Sequence, residues 1–149
     1  MDTLIIFAAT YLVVLVALVG VLAVVWKAEG RRRLLWLLAV SLPLGYALAR
    51  LAGLFYSHAQ PFATEGFEPL VPHAVGNTFP SDHTLAAGIF ASVAFLANRR
   101  VGLLLWVLTL CIGIARMAAG LHYPLDIAVG ALLAVFAVWV AGRGLERMV

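Results

Sequence analysis

Read as a string of apolar and polar positions, the chain sets five uncharged runs between short cation clusters and one long polar connection. Leu4 to Trp26 is an uncharged run of 23 residues, enough to cross a hydrocarbon core of ~30 Å at ~1.5 Å per residue. Leu34 to Ala49 is the second run, which reaches Arg50 and stays apolar to Tyr56. Thr84 to Asn98, Val101 to Ala115 and Ile127 to Ala141 are the third, fourth and fifth. The pattern predicts an all-α polytopic transmembrane helical bundle of five spans. Ser57 to Pro80 is the polar connection, and a short helix outside the membrane is expected there, around Phe62 to Val71. The sequence has no internal repeat and no low-complexity segment.

Composition supports that pattern. Of 149 residues, 64% are hydrophobic and 11% charged, with a mean hydropathy of +1.06. A soluble domain carries about a quarter of its residues as charges, so the chain reads as a single integral membrane domain over residues 1–149. The first run is too long for the core of a cleavable signal and lacks a basic segment before it. Cys111 is the single cysteine, in an apolar run, so a disulfide framework is excluded and a small buried hydrophobe is expected. The net charge of +3 does not point to nucleic acid, because the cations fall in pairs and triplets between apolar runs rather than on one stripe.

The positions of the cations predict topology. Lys27, Arg31, Arg32, Arg33, Arg99, Arg100, Arg143 and Arg147 follow the first, third and fifth runs. The positive-inside rule places them in the cytoplasm, with the amino terminus outside and the carboxyl terminus inside. Arg50, Arg116, all four histidines and Asp126 then share the outer side. Arg50, His83, Arg116 and Asp126 each stand 16 or 17 residues from a cytoplasmic arginine. At ~1.5 Å per residue they reach a common depth, ~24–26 Å above it, close to the outer lipid headgroups.

Charged groups kept at membrane depth are candidates for function. Ser81 reads as the N-cap of the third span, so free backbone N–H groups would face outward as an anion site. Pro124 suits the first turn of the fifth span, with Asp126 just inside it and His122 just before it. A phosphate held between these helix ends would meet the planar fork of Arg116. Two histidines flanking it suggest a nucleophile, His122 oriented by Asp126, and a proton donor, His83.

Each part also has a plainer reading. Arg116 could snorkel to the interface, His122-Tyr123-Pro124 could be an interfacial turn, and Asp126 and Ser81-Asp82-His83 could be helix caps. His58, His73, Glu65 and Glu68 could be weighed as metal ligands, but their spacing matches no ligand pattern.

The combination resembles a known family. Arg116, then His122, then Asp126, with Pro80-Ser81-x-His83 upstream, is similar to the type 2 phosphatidic acid phosphatase superfamily, membrane lipid phosphatases related in fold to vanadium haloperoxidases. The likeness covers about Arg50 to Gly130. It is nearer to the bacterial undecaprenyl-diphosphatase branch, where Pro-Ser-Asp-His replaces Pro-Ser-Gly-His and a Pro-His-Ala segment precedes it, as Pro72-His73-Ala74 does here. The resemblance implies that His122 becomes phosphohistidine with Asp126 as its partner. His83 would protonate the leaving group, and Ser81 and Arg116 would bind phosphate. It implies no metal and no cofactor.

The chain departs from that pattern in its first motif. Gln60-Pro61 stands where the family has Arg-Pro, and Gly53 where it has Lys. Arg50, one turn earlier, is expected to supply the missing charge, with Gln60 as a neutral phosphate contact. Ala115 replaces the usual Ser, and the family core has six helices rather than five. The expected function is hydrolysis of a lipid phosphate or diphosphate, foremost undecaprenyl diphosphate, at the outer face of the cytoplasmic membrane. The partners are then the substrate lipid and the bilayer, with no nucleic acid. The same chemistry on phosphatidic acid or phosphatidylglycerol phosphate, and a non-enzymatic lipid-phosphate carrier, are the alternatives.

Overall fold

The computed structural model describes residues 1–146, and all regular structure among them is helical. The helices are α1 (Asp2–Thr10), α2 (Leu12–Val25), α3 (Arg31–Phe55), α4 (Pro61–Glu65), α5 (Asp82–Ala97), α6 (Arg99–Ala118) and α7 (Pro124–Glu146).

The first apolar run is not one straight helix. It breaks at Tyr11, and α1 and α2 meet at 45°. Sharp kinks arise where a side chain enters the backbone ladder, and here the Ala9 carbonyl accepts a hydrogen bond from Arg116 Nη1 at 3.1 Å. A guanidinium at the end of α1 also suits the negative end of that helix.

By length and composition three helices can cross a membrane, α3, α6 and α7, and the bent α1–α2 pair makes a fourth. The third predicted span is the exception, because α5 has only 16 residues. Its limits are set locally. Ser81 caps its start, and Asn98 ends it by turning to cap α6, with Oδ1 accepting from Arg100 N and Val101 N. This short helix is the hub, packed against α2, α3, α6 and α7. Leu85, Ile89 and Val93 meet Leu37, Ala49, Ala134 and Val138 in one core, while Ala87, Ala91 and Ala94 join Val16, Leu105 and Ile112 in another. Because α5 is enclosed by protein, it needs neither the length nor the apolar outer face of a lipid-exposed span. The outer helices do have that face, with Leu18, Leu104, Ile114, Leu132 and Phe136 among many large apolar side chains left exposed. Cys111 belongs to the same face of α6; it is exposed, which corrects its reading as a buried residue.

The helix expected over Phe62 to Val71 is shorter and begins one residue earlier. Gly66, at φ +74°, stops α4 after five residues, and Pro69 and Pro72 keep the chain beyond it non-helical. Phe62 and Leu70 instead dock on the end of α6 by backbone bonds from Phe62 N to Gly120 O and Leu70 N to Ala119 O. At the other end of the bundle Lys27 Nζ donates to the Leu96 and Ala97 carbonyls, joining the α2–α3 turn to the end of α5. Arg147, counted with that cation group in the sequence, lies outside the described residues.

Candidate active site

Two helix starts are tied together where α5 and α7 begin. Ser81 N donates to Asp126 O at 3.1 Å, and Ser81 Oγ accepts from Thr84 N at 3.4 Å and from Thr84 Oγ1 at 3.2 Å. Gly130, one turn into α7, permits this approach: a Cβ there would lie 2.8 Å from the Ser81 carbonyl oxygen. Pro124 opens α7 as expected, and Asp126 reaches back to accept from Tyr123 N at 2.8 Å. That is half of a capping box, so the plain capping reading of Asp126 holds alongside its contact with His122.

His122 is buried, and its Nδ1 has two neighbours. Asp126 Oδ2 lies at 3.3 Å and Thr78 Oγ1 at 2.7 Å. Thr78 Oγ1 also lies 2.7 Å from the Leu121 carbonyl. One assignment satisfies all of them: His122 carries its proton on Nδ1 and donates it, while the Thr78 hydroxyl accepts and gives its own hydrogen to Leu121 O. Nε2 is then the nitrogen with a free lone pair, the state required of a nucleophile or base.

Asp126 is fully buried and uses both carboxylate oxygens. Oδ2 serves His122 and Tyr123 N, while Oδ1 faces His58 Nε2 at 2.9 Å. His58, weighed in the sequence only as a metal ligand, thus joins the carboxylate of the predicted site. Among the described residues no three His, Cys, Asp or Glu side chains are grouped to share a metal ion.

Arg116 lies in the last turn of α6, and its carbonyl accepts from Leu121 N. It is buried, with Nη1 on Ala9 O and Nε without a hydrogen-bond partner. Gly120 makes the turn between Arg116 and His122 at φ +78°, and a Cβ there would strike the Phe67 ring. His83, half-buried, lies within electrostatic reach of Arg116, His122 and His73. His73 sits on the connecting loop; partial burial lowers its pKa from the ordinary imidazole value, and the positive Arg116 nearby acts in the same direction. Ser81, His83, Arg116, His122 and Asp126 are therefore brought to one end of the bundle.

The first-motif positions are arranged differently. Arg50 pairs with Asp82 Oδ1 at 2.7 Å, next to His83, and lies over the Tyr46 ring. Both partners of that pair are about half exposed, so it adds little stability but fixes where the charge points. Gln60 is buried with both ends of its amide on loop backbone, Nε2 donating to Ala74 O and Oε1 accepting from Gly76 N. At Gly53 a Cβ would come within 3.1 Å of Asn77 Nδ2 and 3.3 Å of Phe79 O. A side chain at this position would have to shift the loop by a few tenths of an ångström.

Sequence reasoning missed Thr78 and the role of His58. Thr78 stands two residues before the Pro-Ser-Asp-His segment, and its backbone N donates to His58 O at 3.0 Å. That long-range bond has no signature in residue type or spacing.

The PAP2 superfamily model matches residues 34–147. The "Bacitracin transport permease protein BcrC" of Bacillus licheniformis is 34% identical over 142 residues, covering 92% of this chain and 70% of the relative. The "Undecaprenyl-diphosphatase BcrC" of Bacillus subtilis (strain 168) is 30% identical over 130 residues, covering 85% and 66%. Among solved structures, the transmembrane PAP2-type phosphatidylglycerolphosphate phosphatase from Bacillus subtilis superposes with a TM-score of 0.66 at 19% identity, covering 99% of this chain and 76% of that one.

Proposed function

The chain belongs to the PAP2 superfamily of phosphatases, and from that premise we propose that it hydrolyses undecaprenyl diphosphate to undecaprenyl phosphate through a phosphohistidine on His122. The observation that carries this reading is the hold on His122: Thr78 and Asp126 both engage Nδ1, which leaves Nε2 for attack. Likeness to an undecaprenyl-diphosphatase supports the choice of substrate. Likeness in fold to a phosphatidylglycerolphosphate phosphatase makes that lipid the comparison to beat.

In this reading His122 Nε2 forms a bond to the terminal phosphorus while the bridging P–O bond breaks. The departing oxygen takes a proton from His83. Water then attacks the phosphohistidine, its proton passes to His83, and phosphate leaves. Arg116 Nε, buried and unpartnered, is the donor that a phosphate oxygen satisfies. His83 lies among Arg116, His122 and His73, so its protonated form needs an anion between them, and the substrate supplies one. Ser81 anchors the start of α5 beside that anion. Arg50, paired with Asp82 next to His83, is assigned in this reading to the second phosphate of a diphosphate. Gln60, with both ends of its amide on Ala74 O and Gly76 N, holds the 74–76 loop.

The topology read from the cations completes the proposal. α5 counts as a fifth, protein-enclosed span, and the site opens to the outside of the cytoplasmic membrane. The substrate reaches it sideways from the bilayer.

The test is a phosphate-release panel on the purified protein, comparing undecaprenyl diphosphate, undecaprenyl phosphate, phosphatidic acid and phosphatidylglycerol phosphate. The diphosphate is expected to give the highest kcat/KM, and in right-side-out vesicles the phosphate should appear outside. A preference for a glycerolipid would overturn the substrate, release into the lumen would overturn the orientation, and binding without release would make the chain a carrier.

A further inference from the structure

We infer that His58 is a positioning residue for the His122–Asp126 pair, acting through the carboxylate oxygen that His122 does not use. The inference rests on the phosphatase reading above.

Asp126 Oδ2 is shared between His122 Nδ1 and Tyr123 N. Oδ1 has His58 Nε2 at 2.9 Å as its side-chain donor. A fully buried carboxylate oxygen stripped of its donor is costly, so loss of His58 would turn or displace the carboxylate on which His122 depends. The His58 ring is itself tightly placed. The rings of Tyr56 and Tyr123 stand 5.2 and 5.1 Å away. The backbone is pinned on both sides, with His58 N donating to Asn77 Oδ1 and His58 O accepting from Thr78 N. One short pairing of loop segments thus brings His58 to one oxygen of Asp126 and Thr78 to the ring of His122.

The ring also connects Asp126 to the surface. Its outer side lines a cavity of about 360 Å³ with Tyr56, Thr64, Tyr123 and Leu125, and its side chain is 21% exposed. The titratable groups facing His58 are Asp126 from α7, Tyr123 from the turn before it, and Tyr56 from the end of α3.

The experiment uses the full chain in detergent with undecaprenyl diphosphate, comparing His58→Phe, which keeps a ring without donors, and His58→Gln, whose amide can reach Oδ1. His58→Phe is expected to lower kcat roughly tenfold, the rate equivalent of one lost buried hydrogen bond, with little change in KM. His58→Gln should recover most of kcat. Histidine ¹⁵N spectra of the same proteins should show His122 losing its Nδ1-protonated tautomer, or changing its shift, in His58→Phe alone. Unchanged kcat in a folded His58→Phe protein overturns the inference, as does equal loss in both variants accompanied by a lowered melting temperature. If the wild type releases no phosphate from any lipid, the phosphatase reading fails separately; the ¹⁵N spectra then decide the coupling, and unmoved His122 signals refute it.

Discussion

Thr78 Oγ1 is closer to His122 Nδ1 than either oxygen of Asp126, so the hydroxyl shares the work of fixing the ring. Thr78→Val keeps the shape and removes both the acceptor for Nδ1 and the bond to Leu121 O. A net loss of about 1.4 kcal/mol for such a buried bond corresponds to a roughly tenfold lower kcat. Thr78→Ser, which retains the hydroxyl, should stay near wild type; equal activity in the two variants would show that Asp126 alone suffices. At this scale the sequence made part of the site legible. His122, Asp126, Arg116 and Ser81 were readable because they are rare polar residues at fixed spacing within apolar runs. Thr78 and His58 were not, because threonine and histidine in a polar loop carry no signal until the loop closes on α7.

The helix starts do as much for the site as the side chains. α5 and α7 meet through Ser81 N and Asp126 O, with Gly130 allowing the contact. Gly130→Ala would press a methyl group against backbone that has little freedom to retreat, so a destabilisation of ~1–3 kcal/mol and a loss of activity are expected. Gly144→Ala, on the same helix with nothing within 4 Å of the added carbon, is the control. It should leave activity intact and stability unchanged or slightly raised, by at most ~1 kcal/mol. Melting temperature and turnover check both, and a Gly130→Ala protein as stable and active as wild type would refute the close-packing argument. Hydrophobic pattern located α3, α6 and α7 within a few residues. It did not foresee the break at Tyr11, because the bond from Arg116 to Ala9 links positions 107 residues apart. Nor did it separate α5, enclosed by four helices, from a lipid-facing span, since both read as apolar runs.

Across the whole molecule, polar groups are sorted to the two ends of an apolar bundle. Lys27, Arg31 to Arg33, Arg99, Arg100 and Arg143 gather at one end, and the three imidazoles of His58, His83 and His122 gather with Arg116 and Asp126 at the other. The sorting was visible in sequence because alternate connections carry the cations. Helical rise fixes height along the bundle, and Arg50, His83, Arg116 and Asp126 lie at one end of it. The central claim is that this end makes a covalent bond to phosphorus at His122. It is tested most directly by mixing the protein with undecaprenyl diphosphate, quenching in base within milliseconds, and mapping phosphate by mass spectrometry. The account predicts acid-labile, base-stable phosphate on the His122 peptide, absent in His122→Ala; full turnover with no phosphate on His122, or undiminished turnover in that variant, would contradict it.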